Sequence, residues 1–172
     1  MSLTWTAVQE VYAPEPQAYL ARAQALGLSC PLDVFEQLFT DHHDAPEFAK
    51  IVAFVDWSGV AWEEVRLSGV ALRRVGVPRA YEHAVDEARR QTAEEGFQDE
   101  REEVMQHWLA TKTWMRSPVL LTGEVLQSAL QYELVVGFTR LGNLLGAIDR
   151  EDVPEYAQHT VWIGRWQPAE RQ

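Results

Sequence analysis

The chain has one cysteine, Cys30, in 172 residues. A lone thiol cannot close an intramolecular disulfide, and with no second thiol it offers no metal-ligand spacing, so Cys30 reads as a small buried hydrophobe. No run of 18 apolar residues is present, which excludes a membrane-spanning helix, and MSLTWTAVQEVYAP lacks the basic start and apolar core of a leader peptide. A cytoplasmic location and no membrane partner are the expectations. Basic residues are also scarce. Fifteen Lys and Arg stand against 26 Asp and Glu, for a net charge of −11. Such a chain repels nucleic acid unless a local patch compensates. The nearest groupings, Arg73-Arg74 and Arg89-Arg90, are flanked by acids or apolar residues, so direct DNA binding is disfavoured.

What is present is a hydrophobic content of 47%, enough for a core in a chain of this size. Pro14-Glu15-Pro16 predicts a helix start with Tyr19, Ala23 and Leu26 on one side and Gly27 at its end. In CPLDVFEQLF the pairs Val34-Phe35 and Leu38-Phe39 recur four apart, predicting a second helix to about Thr40. A third starts at Pro46, with Phe48, Ile51, Val52 and Val55 inward. These make a helical layer over 1–55.

The pattern changes at Asp56-Trp57-Ser58-Gly59. VAWEEVRLSGVALRRV then alternates polar and apolar residues, predicting one or two strands. Pro78 and Gly96 bracket a helix with Tyr81, Val85 and Ala88 inward. Asp99 followed by Glu102 has the spacing of a capping box for the next helix, in which Val104-Trp108 and Met105-Leu109 lie four apart. Short strands are predicted at Pro118–Leu121, Glu133–Val136 and Thr160–Ile163, with a helix from Phe138 to Ile148 carrying Leu141, Leu144, Leu145 and Ile148. Gly142 and Gly146, four apart, predict a close backbone approach on one side of that helix. The fold class expected is α+β (α/β), a small mixed sheet flanked by helices. Residues 56–166 form the core, 1–55 an N-terminal helical extension packed on it, and 167–172 a loose tail.

The segment YELVVGFTRLGNLLG, Tyr132 to Gly146, carries the one constellation with a chemical reading. A helix start presents unpaired N–H groups and a positive dipole end, where a phosphate or carboxylate can settle. Gly137 lets the backbone come close, Thr139 adds a hydroxyl, and Arg140 adds a charged fork. Asn143, four residues after Thr139, points away from the leucines. The bland reading is a strand that stops where a helix starts.

This stretch, preceded by the helix EEVMQHWLATKTW and the proline-headed strand Pro118-Val-Leu-Leu and followed by TVWIG, resembles the ParB/sulfiredoxin superfamily core. The resemblance covers Val60 to Gly164. It implies a stand-alone ParB-like domain that holds a nucleotide, ATP or CTP, or another phosphorylated ligand at Gly137, Thr139, Arg140 and Asn143, with weak or no turnover. Lys112 could reach the phosphate from the opposite wall, its other reading being a solvated loop lysine. Any residual activity would be nucleotide hydrolysis or phosphoryl transfer. Sulfiredoxin chemistry is not expected, because Phe138 stands where that activity needs a cysteine. The kinase-type members carry an acid before the glycine and a histidine after it, where this chain has Val136 and Phe138. Neither side chain can move a proton or hold Mg²⁺.

Other groups have competing readings. His42-His43-Asp44 has ligand-type side chains, but neighbours on a helix diverge, and a helix-end role is expected. Trp108, Trp114, Trp162 and Trp166 read first as core and second as a stacking wall. Glu63-Glu64 reads as a polar strand face that could otherwise supply the missing acid. Nine acids lie between Glu82 and Glu103, a solvated face or a docking surface for a protein partner on helices 78–109. The alternative function is therefore a non-catalytic binding or regulatory module that keeps the fold without the chemistry.

Overall fold

The computed structural model describes residues 2–167. The chain divides into two compact units, neither continuous in sequence. The first comprises the residues up to Glu63, Leu121–Tyr132 and those from Ile163 on, and the second comprises Glu64–Leu120 and Glu133–Trp162.

In the first unit, the residues before Val60 are largely helical. Helix α1, Trp5–Glu10, carries no strong sequence signal and starts where the Thr4 hydroxyl accepts from the Ala7 amide at 3.2 Å. Helix α2, Pro16–Ala25, begins at its proline and is followed by Gly27 at φ +100°. Tyr19 and Ala23 are buried as expected. Leu26 is not: it sits past the last turn, 45% exposed. Helix α3, Leu32–Phe35, widens into a π turn over Glu36–Thr40, where the Asp41 amide donates to the Glu36 carbonyl at 2.9 Å. The wider turn narrows the arc that successive side chains cover, so Gln37, Leu38 and Phe39 are all buried. Helix α4, Pro46–Val52, buries Phe48 and Val52, while Ile51 is only half-buried.

These helices enclose an aromatic chain. Tyr19 meets Phe35, Phe35 stacks on Phe39, and Phe39 lies 5.0 Å from Trp5 and 5.1 Å from Trp57. Rings of this size bury large areas and prefer these offset and edge geometries, which gives the unit its core. The chain is cinched by Asp56, whose carboxylate accepts from the Leu3 amide at 2.9 Å and from the Ser58 hydroxyl at 2.7 Å. The tail was expected to be loose from Gln167. That residue is instead held, its amide donating to the Gly59 carbonyl at 2.7 Å, and the rest of the expected tail lies outside the described residues.

The fold class is α+β with a four-stranded mixed sheet and flanking helices. The strands are β1 (Val60–Ser68), β2 (Val119–Thr122), β3 (Tyr132–Val136) and β4 (Gln158–Trp166), in the order β1-β4-β2-β3. The three segments predicted to share a sheet are therefore adjacent in it. Between Val60 and Val75 there is one strand followed by the single turn α5, Gly69–Leu72, rather than a second strand. The Ser68 hydroxyl takes the Ala71 amide and starts that turn. The polar connection after β2 contains another short turn, α8, Gly123–Leu126.

In the second unit, Arg79–Tyr81 makes a 3-10 turn ahead of α6, Glu82–Glu95, which Gly96 ends at φ +81°. Helix α7, Glu102–Thr111, has no capping box. Arg101 is its N-cap, and Asp99 turns instead to Arg101, accepting from its amide at 2.9 Å and its guanidinium at 2.7 Å. A charge-assisted pair outcompetes the neutral amide the box would have used. Trp108 is buried against Phe97, whereas Leu109 is 56% exposed.

Helix α9, Phe138–Asp149, is buried on most of its surface. Its leucines enter the core, and its glycines lie against α6. A methyl group on Gly142 would fall on the Val85 carbonyl and 2.8 Å from the Ala88 Cβ; one on Gly146 would fall on the Arg89 carbonyl. Asp149, at the negative end of the helix, accepts from Arg89 at 2.6 Å and Arg73 at 2.7 Å. Hydrogen bonding from Arg89, then from Arg73, holds its carboxyl below the usual carboxylate range.

Candidate functional site

Strand β3 delivers the chain to Gly137, and α9 leaves from it. Gly137 is the N-cap at φ +101° and ψ 31°, the left-handed conformation that glycine adopts without penalty. A Cβ there would also lie 2.8 Å from the Pro118 Cβ, so the residue is fixed by conformation and by packing. The Leu141 amide donates to the Gly137 carbonyl at 2.9 Å and closes the first turn. No side chain caps this end among the described residues, so the helix start keeps the positive character of its first amides.

The predicted site residues divide. Thr139 is exposed at the mouth of the turn. Arg140 is half-buried and lies back along the turn: its Nη1 donates to the Arg116 carbonyl at 2.6 Å, and its Nε would stand 3.2 Å from a Cβ on Gly137. Asn143 is elsewhere. Its Oδ1 accepts from the Thr92 hydroxyl at 3.0 Å, in the seam between α9 and α6, because Asn143 stands a full turn beyond the helix start and beside Gly142 and Gly146, which lie against α6. Lys112 is exposed and caps the C-terminus of α7 in the left-handed conformation, φ 57°. Phe138 turns inward and stacks on Tyr81, with ring centroids 4.1 Å apart and planes 3° from parallel.

Sequence reasoning missed the wall that faces Arg140. Residues 112–118 run from the end of α7 to the start of β2, and polar ties fix them. His159 Nδ1 and the Thr113 hydroxyl share a hydrogen bond of 2.8 Å, the Trp114 indole donates to the Thr160 carbonyl at 2.7 Å, and the Trp162 amide donates to the Pro118 carbonyl at 2.9 Å. His107 adds a bond of 3.2 Å to the Trp114 carbonyl. The three ties to His159, Thr160 and Trp162 join residues far apart in the chain, so no local pattern announces them.

His159 is 2% exposed, and burial, with the Arg66 charge as the second cause, brings its pKa down to about 4. It is therefore neutral at pH 7. Burial likewise pushes the Cys30 thiol far up, with the charge of Asp33 adding to it, so that residue is not a thiolate nucleophile.

The other candidates resolve into packing. His42 Nδ1 donates to the Gln37 carbonyl at 2.7 Å and the ring stacks on Phe48; His43 stacks on Tyr12 and pairs with Asp44. A shallow cleft of about 270 Å³ beside Trp5, His43 and Pro46 lies in the first unit and includes none of the glycine-turn residues. No cluster of three or more His, Cys, Asp or Glu fit to hold a metal occurs among the described residues. Trp108 and Trp114 are buried, Trp162 is half-buried, and Trp166 lies against Gly59 but is exposed. No helix among the described residues is long and apolar enough to cross a membrane. Comparison with protein-family models, curated proteins and solved structures finds no match for the chain.

Proposed function

We propose that the start of α9 binds a phosphorylated ligand, a nucleotide such as ATP or CTP or another phosphate ester, as a ParB-like domain with weak or no turnover. The observation that carries this reading is the uncapped helix start at a left-handed glycine, with the Arg140 guanidinium laid beside it and the Thr139 hydroxyl exposed at its mouth. First-turn amides, a dipole end and a guanidinium together favour an anion with several oxygens. The contacts proposed are Gly137, Thr139 and Arg140. Asn143, engaged with Thr92, supports the helix rather than the ligand. Lys112 is retained as an exposed cation at the head of the facing segment.

The test is a thermal melt of wild type and Arg140→Ala against inorganic phosphate, ATP and CTP. Ligand that binds the folded state raises the melting temperature. Wild type is expected to respond, and Arg140→Ala to lose about 1.5–3 kcal/mol of binding, the range for hydrogen bonds to charged groups. Arg140 Nη1 donates to the Arg116 carbonyl in the unliganded protein, so the melting temperature of each protein without ligand is the baseline from which its shift is read. No response from wild type to any of the three anions would overturn the reading.

A second reading, a non-catalytic module that meets a protein partner along helices 78–109, is favoured by Leu109 on α7, a large apolar side chain 56% exposed beside the acidic segment. It predicts that Leu109→Ser leaves the melt unchanged and weakens partner capture.

A further inference from the structure

We propose that His159 and Trp114 are positioning residues for Arg140, acting through the segment 112–118. The inference rests on the reading of the α9 start as an anion site, and it names what sets the geometry of that site. Arg140 has a long side chain, and a hydrogen bond to a main-chain carbonyl fixes it only as well as that carbonyl is fixed. The Arg116 carbonyl belongs to a segment outside the strand and helix ladders, so its position depends on its ties. Upstream, His159 meets the Thr113 hydroxyl at 2.8 Å and the Trp114 indole donates to the Thr160 carbonyl at 2.7 Å. Downstream, the Trp162 amide holds the Pro118 carbonyl at 2.9 Å. His159, Thr160 and Trp162 all belong to β4, so one strand grips the segment on both sides of Arg116.

The same segment touches the site a second time. Pro118 packs where a Gly137 side chain would be, 2.8 Å from an ideal Cβ. A slip of 112–118 along β4 would therefore move the carbonyl that orients Arg140 and the ring that backs Gly137 together. The gripping groups are well placed to resist it. His159 and Trp114 are 2% and 7% exposed, so water competes poorly for their hydrogen bonds.

The experiment measures hydrogen exchange of the Arg140 guanidinium by NMR in the full chain, together with binding of pyrophosphate. Thr113→Val removes the hydroxyl that meets His159 while keeping side-chain volume. It should speed Arg140 exchange roughly fivefold to tenfold and weaken pyrophosphate binding by a similar factor, the scale of one hydrogen bond. Thr113→Ser, which keeps the hydroxyl, should restore both. Met115→Ala, in the same segment but with a side chain 56% exposed, should change neither. Unchanged Arg140 exchange in Thr113→Val overturns the proposal, and so does equal acceleration in Met115→Ala, which would mean general loosening. If wild type binds no pyrophosphate while the exchange pattern holds, positioning stands and the anion reading falls. If pyrophosphate binds and the exchange pattern fails, the anion reading stands alone.

Discussion

Among single residues, His159 has the sharpest consequence for stability. Its folded pKa is about 4, depressed first by burial and then by Arg66, against an ordinary value of 6.5. Between those values the unfolded chain binds a proton that the folded chain refuses. Stability from this group is therefore complete above about pH 6.5 and falls as the pH drops toward 4, by roughly 1.4 kcal/mol per pH unit across the window. Denaturant titrations at pH 7, 6, 5 and 4 should show that slope in wild type and lose it in His159→Gln. A slope equal in both would assign the acid sensitivity to other groups. Arg140 shows how far sequence reasoning reaches at this scale. The residue type and its place after Gly137 suggested an anion contact, but the Arg116 carbonyl to which it donates is a backbone group that carries no sequence signature.

At the scale of elements, the glycine side of α9 was legible because spacing alone determines it: positions 142 and 146 lie on one helical face, and only glycine lets another main chain approach there. Gly142→Ala should cost about 1–3 kcal/mol, the range for overpacking, because its methyl group meets the Val85 carbonyl, which cannot rotate aside. Gly96→Ala, where the only atom within reach is 3.8 Å away, should be felt mainly through its positive φ. Chemical denaturation of the two variants measures both costs, and a Gly142→Ala variant as stable as wild type would contradict the packing account. The strands were legible for the same kind of reason, through alternation and β-branched content. The failures came where a short-range signal had a stronger rival. Asp99 took the Arg101 guanidinium and amide rather than an amide within the helix. The bond between Asn143 and Thr92 was not legible either, since the position of α6 is a tertiary fact.

For the whole molecule the deciding quantity is charge. At −11 the chain repels itself, while many of its ion pairs, such as Arg90 with Glu87 and Glu94, are exposed and contribute little. Raising NaCl from about 10 to 150 mM shortens the screening length from roughly 30 to 8 Å, and the melting temperature should rise rather than fall. A fall would mean that the pairs outweigh the repulsion. The same field disfavours an incoming polyanion, so any phosphate binding has to come from short-range contacts at the start of α9. The seam of Gly142 and Gly146 against α6 adds a kinematic constraint on that site. Two helices whose backbones interlock cannot slide past one another without separating, and Phe138 on Tyr81 pins their neighbouring ends. Helix α9 is thus a fixed jaw. On the opposite side, residues 112–118 are held to β4 by packing as well as by hydrogen bonds, with the Trp114 and His159 rings 5.5 Å apart and both buried, so the segment facing the start of α9 is a second rigid wall.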